Sequence, residues 1–127
     1  MSDSTMLVVG STGKIGRRVA RRLRNGGQSV RAGSRRSDPP FDWENPSTWA
    51  PALRGVDSAY VSYYPDLAVP EAPAAIRRFT EVALQEGVRK LVLLSGRGES
   101  NARRSEDIVR DSGLDFTLVR ASWFNQN

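Results

Sequence analysis

Gly10, Gly13 and Gly16 follow directly on the apolar run Met6, Leu7, Val8 and Val9, and a helical pattern begins at once behind them. That spacing suits the binding of a diphosphate. Gly10 permits the tight turn out of a strand, Gly13 lets main chain approach phosphate oxygens, and Gly16 lets the new helix pack on the sheet. The helix then turns unpaired N–H groups and the positive end of its dipole toward the anion. Ser11, Thr12, Lys14 and Ile15 fill the positions between the glycines. A bare three-glycine motif is weak evidence, but strand before and helix behind is the context a dinucleotide cradle requires.

A second anion-directed feature lies one strand further on. Where an acid would accept from the hydroxyls of an unphosphorylated adenosine ribose, residues 33–36 read Gly33, Ser34, Arg35, Arg36, and no acid occurs before Asp38. A guanidinium grips a 2′-phosphate in a two-pronged hydrogen-bonded pair, which a carboxylate would repel. NADP is therefore the expected cofactor and NAD the second choice, with Arg35 as the main clamp and Ser34 and Arg36 assisting. The plainer alternative is that both arginines are solvent charges. Further along, Tyr63, Tyr64, Pro65, Ser95 and Gly96 fall at the carboxyl ends of two more strands. Ser95 and Tyr64 are the hydrogen-bond donors available to a reacting group, although a serine at a strand end more often serves a turn.

The elements that must position these residues alternate. The reading gives a strand to Val9, a helix closed by Gly26 and Gly27, and a second strand over residues 29–33. A short third strand is expected at Phe41, Asp42 and Trp43, on the sheet edge where neighbouring prolines are tolerated. Ser47 or Thr48 caps a short helix running through Leu53. A fourth strand covers 57–63, a helix about 72–85 with Ile76, Phe79 and Ala83 inward, a fifth strand 89–94, a helix about 101–111, and a sixth strand 116–119. Alternation of this kind predicts one α/β domain over 1–127, with a Rossmann-like, doubly wound parallel sheet in the order 3-2-1-4-5-6. Ligands of such sheets bind at the carboxyl ends of the strands. Tyr60 is expected in the core.

Composition narrows the chemistry. The 127 residues hold no cysteine and no histidine, which removes thiolate nucleophiles and Ser-His catalysis and makes a zinc site untenable. No apolar run approaches membrane-spanning length and no signal segment opens the chain, so a cytoplasmic protein without a membrane partner is expected. The net charge of +5 favours anionic partners. Five arginines at positions 17, 18, 21, 22 and 24 flank the seam Ile15, Val19 and Leu23 on the first helix, a solvated face. No aromatic residues interleave with them, and the start of that helix is committed to phosphate, so nucleic acid is not an expected partner.

Residues 10–16, 30–35, 93–98 and above all 111–127 together resemble the NmrA-like, atypical branch of the short-chain dehydrogenase/reductases. Residues 41–64 are most similar to its ergot-alkaloid-type reductases. The resemblance implies an NADP(H)-binding Rossmann domain and, often, reduction of imines, enones, quinones or azo compounds. The family's glycine motif falls on Gly10, Gly13 and Gly16, its adenosine-phosphate arginine on Arg35, and its nicotinamide-lining segments on Tyr63–Pro65, Ser95–Gly96 and Ser122–Phe124. The branch also includes redox sensors that bind the dinucleotide without turnover, which is the alternative function.

Two departures matter. The Tyr-x-x-x-Lys dyad of the wider superfamily is absent, because the only lysines are Lys14 and Lys90, preceded four residues earlier by Gly10 and Glu86. The proton donor is therefore unassigned. Members of the family run to about double this length, so the chain is expected to be either a truncated product or a natural half-protein. The sixth strand would then be an open edge beside Trp123 and Phe124, which predicts self-association. The residues that would choose a substrate are not in the sequence.

Overall fold

The structure, a computed structural model, describes residues 5–10, 14–62, 70–95 and 100–120. Its elements run β1 (Thr5–Val9), α1 (Lys14–Asn25), β2 (Ser29–Gly33), a 3-10 turn (Pro46–Thr48) leading into α2 (Trp49–Leu53), β3 (Ser58–Val61), α3 (Ala72–Gln85), β4 (Lys90–Ser95), α4 (Ser100–Arg110) and β5 (Asp115–Arg120). All pairings are parallel, in the order β2-β1-β3-β4-β5. The chain is thus the expected Rossmann-like α/β domain, wound on both sides of one sheet.

Strand alternation sorts the core into two layers. Leu7, Val9, Ala59, Val61, Leu91 and Leu93 face α2, α3 and α4, where Trp49, Leu53, Ile76, Phe79, Ala83 and Val109 are buried with them. Val8, Tyr60, Val92 and Leu94 face α1. A strand covered on both sides reads as continuously apolar, as 91–94 does. Ala20 is the buried centre of the α1 seam while Val19 and Leu23 are half-buried beside it. The five arginines of α1 are exposed as expected. Burial pushes the Tyr60 phenol above its usual value.

The third strand does not form. Residues 41–43 are irregular, and the six-strand order loses that member while the other five keep their sequence. The donors a ladder would need are spent nearby: Phe41 N–H goes to the Ser34 carbonyl at 2.7 Å and Asp42 N–H to Thr48 Oγ1 at 3.0 Å. The aromatic side chains form a cluster instead. Phe41 lies 5.0 Å from Trp43, 6.1 Å from Trp49 and 5.8 Å from Phe79, ring centre to ring centre. Such ring pairs contribute about 0.5–1.5 kcal/mol each beyond their buried area, so the aromatic residues are better placed here than on an edge strand.

The expected cap is also different. Asn45, not Ser47 or Thr48, opens the turn before α2, its Oδ1 accepting from the Ser47 N–H at 3.3 Å and the Ser47 hydroxyl at 2.7 Å. The other end of α2 is met by Arg31 of β2, whose Nη1 donates to the carbonyls of Ala52 at 2.8 Å and Arg54 at 2.6 Å. A cation at a helix carboxyl end satisfies orphan carbonyls and the dipole together.

Candidate functional site

At the carboxyl ends of β1, β2 and β3 the main chains converge more tightly than side chains would allow. Gly10 leaves β1 with φ +80°, in the left-handed region, and its N–H donates to the Gly33 carbonyl at 2.8 Å. A Cβ built on Gly10 would stand 2.7 Å from Ser62 Oγ. Gly33, paired with Val9, is equally confined: its Cβ would meet Leu7 Cδ1 and the Val8 carbonyl at 3.1 Å and Val9 Cα at 3.3 Å. Only glycine satisfies the first position and only glycine fits the second without displacing β1. The edge of the crevice is therefore main chain, as contact with a diphosphate demands, and the residues present fit a dinucleotide.

Beyond Gly33 the chain folds into a compact loop. The Ser37 hydroxyl accepts from Ser34 N–H at 3.0 Å and lies 2.8 Å from both the Ser34 and Pro39 carbonyls, one of which takes its single proton. Ser34 Oγ accepts from Arg36 N–H at 3.3 Å. Of the expected clamp residues, which follow the end of β2, Ser34 is half-buried and Arg35 and Arg36 are exposed, with Asp38 exposed after them.

Gly16 is buried on the first turn of α1, as close packing on the sheet requires. Lys14 and Ile15 begin that helix and Ser95 ends β4, paired with Arg120 of β5. Ser11, Thr12, Gly13, Tyr63, Tyr64, Pro65, Gly96 and Ser122–Phe124 lie outside the described residues. The structure thus brings Gly10, Gly16, Gly33, Ser34, Arg35 and Arg36 to the expected sheet end.

Two residues at this end are ones the motif reading passed over. Ser62, just past β3, donates its hydroxyl to the Val9 carbonyl at 3.3 Å. Trp43 donates its indole N–H to the Ser62 carbonyl at 3.1 Å. The signal for Ser62 was its place before Tyr63 at a strand end. Nothing in the spacing of Trp43 pointed to the site, because it comes from the segment read as a strand.

Elsewhere, a groove of about 500 Å³ between α3 and α4 is lined by Arg77, Thr80, Leu84, Arg104, Asp107 and Ile108 among others. It belongs to the outer helical layer and contains no residue of the strand ends. Among the described residues no group of His, Asp or Glu is arranged to hold a metal, and no helix is long and apolar enough to cross a membrane.

The profile of a family described as NAD(P)H-binding matches residues 10–127. Prestalk A differentiation protein A of Dictyostelium discoideum is 29% identical over 140 aligned positions, covering 97% of this chain and 46% of that protein. Festuclavine dehydrogenase of Aspergillus fumigatus is 30% identical over 140 positions, covering 97% of this chain and 48% of the relative. The chain therefore spans about half the length of the curated relatives it matches. Among solved structures, the NADPH-dependent quinone oxidoreductase of Escherichia coli, complexed with NADPH, superposes with a TM-score of 0.81. At 20% identity, over 96% of this chain and 50% of the other, that likeness establishes the shared fold.

Proposed function

The chain belongs to the NAD(P)H-binding family, and on that premise we propose that it is the NADPH-holding domain of an oxidoreductase acting on a small unsaturated compound such as an imine, enone, quinone or azo dye. The observation that carries this reading is the side-chain-free junction of Gly10 and Gly33 at the head of α1. When bound, the nicotinamide supplies or accepts the hydride.

The work of the chain is positioning. Gly10, at the carboxyl end of β1, would meet the diphosphate with main chain, and the twelve-residue α1 behind it would turn the positive end of its dipole that way. Arg35 receives the 2′-phosphate, with Arg36 and the Ser34 hydroxyl beside it. A charge-assisted hydrogen bond is worth about 1.5–3 kcal/mol, so one such contact favours NADPH over NADH roughly ten- to hundredfold. On the family resemblance, Ser95 and Tyr64 would offer hydrogen-bond donors to the substrate, and residues 63–65, 95–96 and 122–124 would line the nicotinamide. A small-molecule substrate is the expected partner.

Titration of NADPH and NADH against the wild-type chain and Arg35→Ala tests the cofactor reading. The substitution should weaken NADPH at least tenfold and leave NADH within twofold. Equal losses would remove Arg35 from its role. The missing Tyr-x-x-x-Lys dyad fits a second reading, a dinucleotide-binding redox sensor without turnover, as well as it fits the first. Tight NADPH binding with no NADPH consumption across quinones, imines and azo dyes would select it over the reductase.

A further inference from the structure

We infer that Trp43 is a positioning residue for the dinucleotide crevice, holding the carboxyl end of β3 against Gly10 through its indole N–H. The proposal takes the identity of the ligand from the reading above, while the geometry stands without it.

The β1–β3 ladder does not reach the site. Its pairs run Met6↔Ser58, Leu7↔Ala59 and Val8↔Tyr60 and stop there. The β3–β4 pairs end at Val61↔Leu93. Ser62 lies past both, yet its hydroxyl is the nearest neighbour a Gly10 side chain would meet. Two bonds hold it there, from Ser62 Oγ to the Val9 carbonyl at 3.3 Å and from Trp43 Nε1 to the Ser62 carbonyl at 3.1 Å.

Trp43 is well suited to act as a brace. Its ring is held at 5.0 Å by Phe41 and at 5.4 Å by both Trp49 and Phe79, the last two fully buried, so the N–H has a fixed aim. The same segment is tied to the end of β2 by the bond from Phe41 N–H to the Ser34 carbonyl, at 2.7 Å. The aromatic loop thus ties down the chain at two of the three strand ends that form the crevice. An unbroken series of contacts runs from the aromatic cluster through Trp43 and Ser62 to the first residue of the glycine loop.

Trp43→Phe keeps an aromatic ring in the cluster and deletes only the donor. Both dinucleotides share the diphosphate, so Trp43→Phe should weaken NADPH and NADH by the same factor, about three- to tenfold for one neutral hydrogen bond. Their ratio, set by Arg35, should not move. Ser62→Ala removes the second bond and should act in the same direction. The double variant should fall short of the product of the single losses, because both act through one residue.

A readout without ligand accompanies the titrations. The Gly10 amide should exchange with solvent several-fold faster in Trp43→Phe, while amides in the middle of β1 and β4 keep wild-type rates. Unchanged affinities, loss confined to NADPH, or unchanged Gly10 exchange would each overturn the proposal. A wild-type chain that binds neither dinucleotide, with Gly10 exchange still responding to Trp43→Phe, would refute the cofactor reading and leave the brace intact.

Discussion

Gly10→Ala probes the narrowest point of the crevice. The substitution places an alanine at φ +80°, a conformation that costs an L-residue roughly 1–2 kcal/mol. It also sets a methyl group 2.7 Å from Ser62 Oγ, closer than such atoms approach, so the hydroxyl must swing away and release the Val9 carbonyl. A lost neutral hydrogen bond adds about 0.5–1.5 kcal/mol. The sum is about 1.5–3.5 kcal/mol, which for a domain of this size lowers Tm by roughly 4–17 °C. Thermal unfolding followed by circular dichroism measures it. The two contributions separate in a Ser62→Gly background, where no hydroxyl remains to clash. There Gly10→Ala should cost only its backbone share, about 1–2 kcal/mol. A shift below about 3 °C in the wild-type background would refute the reasoning, since even the backbone share exceeds it. An identical cost in both backgrounds would show that Ser62 is not the neighbour that matters.

Arg31→Met leaves the Ala52 and Arg54 carbonyls without their donor and should destabilise the domain by about 1–3 kcal/mol in urea unfolding, with the m-value unchanged. Phe79→Ala empties a fully buried site at the centre of the aromatic cluster and should cost about 3–5 kcal/mol by the same measurement. The raised pKa of Tyr60 means that the folded state keeps a proton which the unfolded chain releases above pH 10. Its contribution is complete below that pH and is lost as pH rises through the folded value. Tyr60→Phe should therefore flatten the alkaline decline in Tm while changing little at pH 7. At the far edge of the sheet, β5 exposes Phe116 and Val119. We expect a second copy to pair there, so sedimentation should show a dimer that Val119→Lys converts to monomer, and a wild-type chain monomeric at high concentration would contradict this.

Much of this architecture is legible in the residues. The glycine spacing locates the β1–α1 turn, and the inward positions of α3 follow from the interval of Ile76, Phe79 and Ala83. The continuous apolar run 91–94 marks a strand between two helical layers. Phe41, Asp42 and Trp43 mislead because a three-residue alternation of large and polar side chains satisfies a strand pattern. The competing arrangement, rings packed on Trp49 and Phe79, depends on residues too distant in sequence to register. Thr48 shows the same limit on a smaller scale: its hydroxyl is used by Asp42 N–H and the Asn45 carbonyl, leaving the cap to Asn45. The basic segment at residues 34–36 is legible because a sign of charge at the end of β2 needs no tertiary information. Ser62 was not, because its importance comes from where Trp43 and Gly10 meet it in space.

The crevice divides its labour between two kinds of structure, and that division makes it adjustable. The grip on whatever sits against Gly10 and Gly33 is written in peptide groups and cannot drift without unmaking the β1–β2 junction. Arg35 and Arg36, by contrast, hang from a loop whose shape Ser37 maintains and contribute nothing to the core. If they choose the adenosine as proposed above, exchanging them would retune that choice while the scaffold stays indifferent.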